Sequence, residues 1–294
     1  MTARVPWSRL LPPAAFAAAF ALLAWVVLSH HPYAVDTGPH RWSVDHRPHA
    51  AAVAARLVTD TGTGVFPPLV AALGGWLAGL AAYGGGPASA KVAAAGDRAA
   101  RMRRAVPMAL LALVVLLAGQ AVRTGLMAAL RRGRPPVADW AVHASGHSFP
   151  SGHTSSSAIA AGLLTWGLLR LRPDRAPGFR GLRARWPAVL CCLVAVAVGC
   201  SRVYLGVHWP TDVLGSWLFA GFWLAVTLPL LTYVADGRDT REDGDTGQDG
   251  DTGQDGDTGQ DGDTGEDGDD RGTGQHREGG GPQRHGREDQ TDTP

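Results

Sequence analysis

The segment Ser201-Arg202-Val203-Tyr204-Leu205-Gly206-Val207-His208-Trp209-Pro210-Thr211-Asp212 places an arginine, a histidine and an aspartate within eleven positions, between two long apolar runs. Ionisable groups in such a setting are costly unless they bind or pass along something polar. His208 and Asp212 are four apart, with Pro210 between them. Proline suits the first turn of a helix, so a helix is predicted to start near Trp209. The Asp212 carboxylate then reaches back to one imidazole nitrogen of His208. That fixes the tautomer and leaves the other nitrogen with a free lone pair, a nucleophile for in-line attack. The same helix start points backbone N–H groups at an anion.

Two earlier stretches carry related chemistry. In Pro150-Ser151-Gly152-His153, Ser151 is placed to cap a helix and Gly152 lets backbone approach a ligand closely. His153 is the candidate general acid, since the ordinary imidazole pKa lies near working pH. Arg134, followed by Pro135, and Arg202 offer forked donors that suit the equatorial oxygens of a transferring phosphoryl group. Any one of these residues alone would be a helix-end or topology signal. Their meeting at one face is what points to phosphate chemistry.

The elements that must position them are apolar. Six runs, near 11–29, 65–83, 106–126, 155–171, 186–205 and 213–234, read as long enough to span a bilayer, which takes roughly 20 residues as helix. The first follows Arg4 and Arg9 but lacks a clear small-x-small cleavage site, so it reads as an uncleaved helix rather than a signal peptide. Lys91, Arg98, Arg101, Arg103 and Arg104 follow the second run, and Arg170, Arg172, Arg175, Arg180, Arg183 and Arg185 follow the fourth. The positive-inside rule makes both loops cytoplasmic, together with the N- and C-termini. The hairpins after runs three and five then share the outer face, although Arg131, Arg132 and Arg134 in the first of them oppose the charge rule.

Composition divides the 294 residues in two. Residues 1–235 hold 7 acidic and 21 basic residues, and residues 236–294 hold 19 acidic and 6 basic, which hides behind a net charge of +1. From Asp243 the unit Asp-Gly-Asp-Thr-Gly-Gln recurs, with no apolar residue to build a core. The expectation is a disordered acidic tail, with at most weak divalent-cation binding. Cys191, Cys192 and Cys200 lie in or beside one apolar run, without the spaced Cys/His pairs of a zinc site, and read as helix-packing residues. The expected architecture is an all-α, six-transmembrane-helix bundle over residues 1–235, with its motif core at 123–215. No metal, cofactor or nucleic-acid partner is expected, and nothing in the sequence sets the oligomeric state.

These motifs resemble the type 2 phosphatidic acid phosphatase (PAP2) superfamily, whose pattern is Lys-x6-Arg-Pro, Pro-Ser-Gly-His and Ser-Arg-x5-His-x3-Asp. The second part matches at Pro150–His153 and the third at Ser201–Asp212, but the first matches only at Arg134-Pro135. The resemblance covers roughly residues 65–234. It implies His208 as nucleophile forming a phosphohistidine, Asp212 as its orienter and His153 as acid. Arg134, Ser151, Gly152 and Arg202 would hold the phosphate, without a metal. Where the family has its lysine this chain has Met127. Arg123 and Arg131 lie one turn to either side of it, and Arg131, nearer the outer end, is the first candidate to replace it. His143 and His147 lie close to the site and read as loop residues. The implied activity is hydrolysis of a lipid phosphate or diphosphate in the membrane. The alternatives are a vanadate-dependent haloperoxidase and a non-catalytic lipid-binding or transport relative.

Overall fold

The computed structural model describes residues 11–29, 33–81, 97–171 and 186–237. The chain divides into two units, Met1–Asp249 and Gly250–Pro294, and every described residue belongs to the first. Eight α-helices lie among the described residues, and no strand does. They are α1 (Leu11–Ser29), α2 (Ala34–Asp45), α3 (His49–Asp60), α4 (Phe66–Ala81), α5 (Asp97–Leu130), α6 (Gly152–Arg170), α7 (Trp186–Tyr204) and α8 (Pro210–Gly237). The basic stretch around Lys91, the arginines from Arg172 to Arg185 and the repeats from Asp243 lie outside the described residues.

The six apolar runs form α1, α4, α5, α6, α7 and α8. The expectation of six spans needs correction in its count. Among the described residues, four helices are long and apolar enough to cross a bilayer: α1, the Met102–Leu130 part of α5, α7, and α8 up to Asp236. Helix α4 is apolar but has only 16 residues. Helix α6 opens with Thr154, Ser155, Ser156 and Ser157, all buried, which lowers its apolarity where it meets the other helices. Leu110, Val114, Leu190, Leu193 and Leu230 face outward along the bundle, which is how a protein solvated by lipid presents its surface.

The segment between the first two apolar runs is not a plain loop. Helices α2 and α3 fill it. Helix α3 packs along α7, while α2 packs on α7 and α8. Polar composition and Pro39 inside α2 hide this helix from a search for apolar runs.

Helix α4 is wedged between α5 and α6 by a run of small residues. Gly74 lies against the Leu163 carbonyl of α6, Gly167 against the Gly74 backbone, and Gly75 against the Met108 carbonyl of α5. Such close backbone crossing is the membrane solution to packing without a hydrophobic gradient. Below it, Ala71, Met108, Ala112, Leu116, Ile159, Leu163 and Phe219 form the core. At the far end of the bundle, Phe149 stacks on Phe20 with ring centroids 5.4 Å apart, anchoring the α5–α6 connection onto α1. All the motif residues lie at that end.

Candidate active site

Helix α8 begins at Pro210, one residue beyond the expected start, and its first turn explains the position of Asp212. Asp212 Oδ2 accepts the Trp209 N–H at 2.8 Å, the return half of a capping box. Trp209 has no side-chain oxygen to cap the next free N–H. Asp36 of α2 does so instead: its Oδ1 accepts from Thr211 N at 3.0 Å, and the Thr211 hydroxyl also lies within 2.8–2.9 Å of both Asp36 oxygens.

With the helix start fixed, Oδ2 of Asp212 also lies 3.4 Å from His208 Nδ1. On the other side of the ring, Arg134 Nη1 lies 3.0 Å from His208 Nε2. A guanidinium only donates, so Nε2 is the acceptor and carries the lone pair. Nδ1 therefore keeps the proton and donates it in a hydrogen bond to Asp212 Oδ2. Burial pushes the His208 imidazole down to about 4; the hydrogen bond and charge of Asp212 oppose this, and the charges of Arg134 and Arg202 add to it. The ring is thus neutral at neutral pH, the state a nucleophile needs.

Arg134 is held by backbone carbonyls. Its Nε donates to Gly146 O at 3.0 Å, Nη2 to Ser145 O at 2.8 Å and Nη1 to Val207 O at 2.8 Å. Burial lowers its pKa, nearby Asp212 raises it and Arg123 lowers it again. Arg202, at the end of α7, donates from Nη1 to Thr59 Oγ1 at 3.2 Å, and its buried Nε has no partner.

His208, His153, Gly152, Arg134, Arg202 and Arg123 all line one cavity of about 580 Å³. Its other wall is apolar, with Pro67, Pro68, Leu116 and Leu117. The N-terminus of α6 enters it at Gly152 and His153. Ser151 occupies the N-cap position, but its side chain makes no capping bond; its N–H goes to Ser216 Oγ at 2.7 Å. Ser151 is fully buried just beneath the cavity rather than lining it. His143 lines the cavity and His147 does not.

Arg131 is the expected phosphate ligand that the structure places elsewhere. It ends α5 with φ +49, is exposed, and turns its Nε back onto Ala128 O at 3.2 Å. This left-handed residue closes the helix and swings the next side chain inward, at a cost of about 1–2 kcal/mol for a non-glycine residue. Arg123, one turn below Met127, is the cation that reaches the cavity. Its Nη2 donates to Thr124 Oγ1 at 2.8 Å and its Nη1 meets only the weak acceptor Met127 Sδ at 3.4 Å, with Nε buried and unpartnered. A side chain at Gly152 would sit 3.4 Å from its guanidinium.

The motif reading missed two residues. Arg132 is 2% exposed. Its Nη1 bonds Asp212 Oδ1 and its Nη2 bonds Asp36 Oδ2 at 2.6 Å. The clue in the sequence was a third arginine beside Arg131 and Arg134 in a hairpin where the charge rule did not want one. Asp36 gave no clue. No group of three or more His, Cys, Asp or Glu able to hold a metal occurs among the described residues.

Residues 108–235 match the model of the PAP2 superfamily. A phosphatidylglycerophosphatase B of Bacillus subtilis is 37% identical over 112 residues, 38% of this chain and 48% of that protein. An undecaprenyl-diphosphatase of Sulfolobus acidocaldarius is 38% identical over 79 residues, 27% of this chain and 31% of that protein. The chain thus spans about half the length, or less, of these curated relatives. The crystal structure of a transmembrane PAP2-type phosphatidylglycerolphosphate phosphatase from Bacillus subtilis superposes with a TM-score of 0.55 at 26% identity, covering 78% of this chain and 96% of that one. Residues 108–235 of this membrane protein thus match the PAP2 superfamily in sequence, and its fold resembles that of a PAP2-type phosphatase over 78% of the chain.

Proposed function

We propose that this protein hydrolyses a lipid phosphate or diphosphate through a covalent phosphohistidine. The observation that carries the reading is the His208 ring, neutral, with Nδ1 facing Asp212 and the Nε2 lone pair facing a cavity ringed by Arg123, Arg134 and Arg202. A phosphate entering there draws the Arg134 guanidinium off Nε2 and onto its own oxygens. Nε2 then forms a bond to phosphorus while the bond from phosphorus to the lipid oxygen breaks. Before the phosphate enters, His153, across the same cavity, is pushed down to about 3 by burial and then by the charges of Arg202, His208, Arg134 and Arg123; it takes up a proton with the incoming anion and gives it to the leaving oxygen. Water, deprotonated by His153, next attacks the phosphohistidine and releases phosphate, returning Nε2 its lone pair. The three guanidinium groups hold the equatorial oxygens as charge redistributes.

The apolar wall of the cavity, and its place at one end of a membrane bundle, favour a substrate whose chains stay in lipid. The relatives named above act, by their names, on phosphatidylglycerophosphate and on undecaprenyl diphosphate. Both headgroups present a terminal phosphate, and we extend that class to this chain. The site lies at the end opposite Arg103 and Arg104, early in α5, and Arg170, at the end of α6, which supports an outward-facing site with both termini inside.

The test is phosphate release by purified protein in detergent micelles, from prenyl diphosphates and from glycerophospholipid phosphates side by side, with His208→Ala as control. Release by the wild type alone is the expected result. Equal release by both proteins, or none by either, rejects the phosphatase reading and leaves a lipid-binding relative.

A further inference from the structure

Arg132 has two terminal nitrogens and three oxygens competing for them. Nη2 goes to Asp36, while Nη1 is shared by Asp212 Oδ1 and the Thr211 hydroxyl. All four side chains are buried. A guanidinium and a carboxylate left to themselves favour a two-pronged grip, with both oxygens engaged. Here that grip is denied, because Asp36 fills the second prong. Asp212 keeps Oδ2 for the His208 ring, although at 3.4 Å the contact is already long.

We propose that Asp36, far from every motif and on a helix that the apolar pattern does not show, is a positioning residue that keeps the Asp212 carboxylate on His208 by occupying the second prong of Arg132. The function rests on the reading of His208 as phosphoryl acceptor. Charge supports it as well. Asp36, Arg132 and Asp212 together carry one net negative charge beside a neutral ring, and this charge is balanced once His208 becomes a phosphorylated imidazolium. Without Asp36 the cluster is already neutral, and Arg132 pulls Oδ2 away from Nδ1.

The experiment reads the ring nitrogens of His208 by 15N NMR of the full-length protein in detergent, without substrate, assigned by loss of the signals in His208→Ala. The wild type is expected to show a single tautomer with the proton on Nδ1. Asp36→Asn keeps a carbonyl oxygen to cap α8 but no longer holds the prong; Arg134 still holds Nε2 as acceptor, so the tautomer stays, and the Nδ1–H signal is expected to move upfield as its bond to Asp212 is lost, with kcat about 100-fold lower and KM within about twofold. Adding Arg132→Lys to Asp36→Asn removes the fork while preserving the charge, and is expected to return the Nδ1–H signal toward its wild-type position and to restore part of kcat. A wild-type ring spectrum in Asp36→Asn overturns the proposal. So does a double variant no closer to the wild type than the single one, which is what a purely structural role predicts. If Asp36→Asn does not fold, the double variant decides alone by its ring spectrum. The ring is read without turnover, so a protein that released no phosphate would refute the catalytic reading and leave the Nδ1–H result to stand or fall by itself.

Discussion

Arg134 donates to His208 Nε2 across 3.0 Å, so the atom with the best lone pair in the cavity is masked by a cation until an anion arrives. The same guanidinium is braced by Ser145, Gly146 and Val207 carbonyls. Lysine keeps the charge but cannot reach all of them. Arg134→Lys is therefore expected to lower kcat/KM by about 100-fold or more, the scale for losing one preorganised donor. Steady-state phosphate release checks it; activity within about threefold of wild type would show that the fork is dispensable.

Arg123 and Arg131 should behave oppositely. Arg123 lines the cavity, and Arg131 is exposed and bonded to Ala128 O. Arg123→Ala is expected to cost kcat/KM about 10–1000-fold, and Arg131→Ala less than about twofold. Parallel kinetics on the two variants decide which arginine stands in for the missing lysine, and the reverse ranking would remove Arg123 from the site.

The acidity of His208 is a direct test of its burial. The ordinary histidine value is 6.5, and here it is pushed down to about 4. A lowered value means that the ring stays neutral as pH falls through 6.5 and takes its proton only near pH 4. An NMR titration of the substrate-free protein should therefore show the His208 signals unmoved between pH 7 and 5.5. A midpoint near 6.5 would mean that water reaches the ring.

Close crossing of α4 and α6 sets the rigidity of the scaffold beneath the site. Gly74→Val would drive a side chain into the Leu163 carbonyl. A loss of about 1–3 kcal/mol or more is expected, as for overpacking elsewhere, seen as a lower thermal midpoint in detergent. An unchanged midpoint would show the two helices free to separate.

Deletion of residues 240–294 is expected to leave phosphate release within about twofold of the full chain, because every motif residue lies at or before Asp212. A tenfold loss would give the acidic repeats a part in turnover.

The convergence of His208, Asp212, His153, Arg134 and Arg202 was legible because each sits at the end of an apolar run, and counting runs assigns each end to a face. Helix starts were legible within a few residues for a local reason: Pro210 and Pro150-Ser151-Gly152 are boundary chemistry. Two things were not. The choice between Arg123 and Arg131 depends on a left-handed residue at the end of α5, and arginine carries no signature of that conformation. The Asp36–Arg132 pair spans 96 positions, and its acidic half lies on a polar helix that periodicity in apolar residues does not mark. Burial of a charge is a property of the assembled bundle, and no local pattern encodes it.

Residues 108–235 contain every matched motif residue, yet they are not a transplantable cassette. Grafted elsewhere without α2 and α3, they would leave the Thr211 N–H, one arm of Arg132 and the Thr59-bound arm of Arg202 without these partners. A chimera that moves this chemistry into another scaffold needs residues 34–60 of the same donor carried with it.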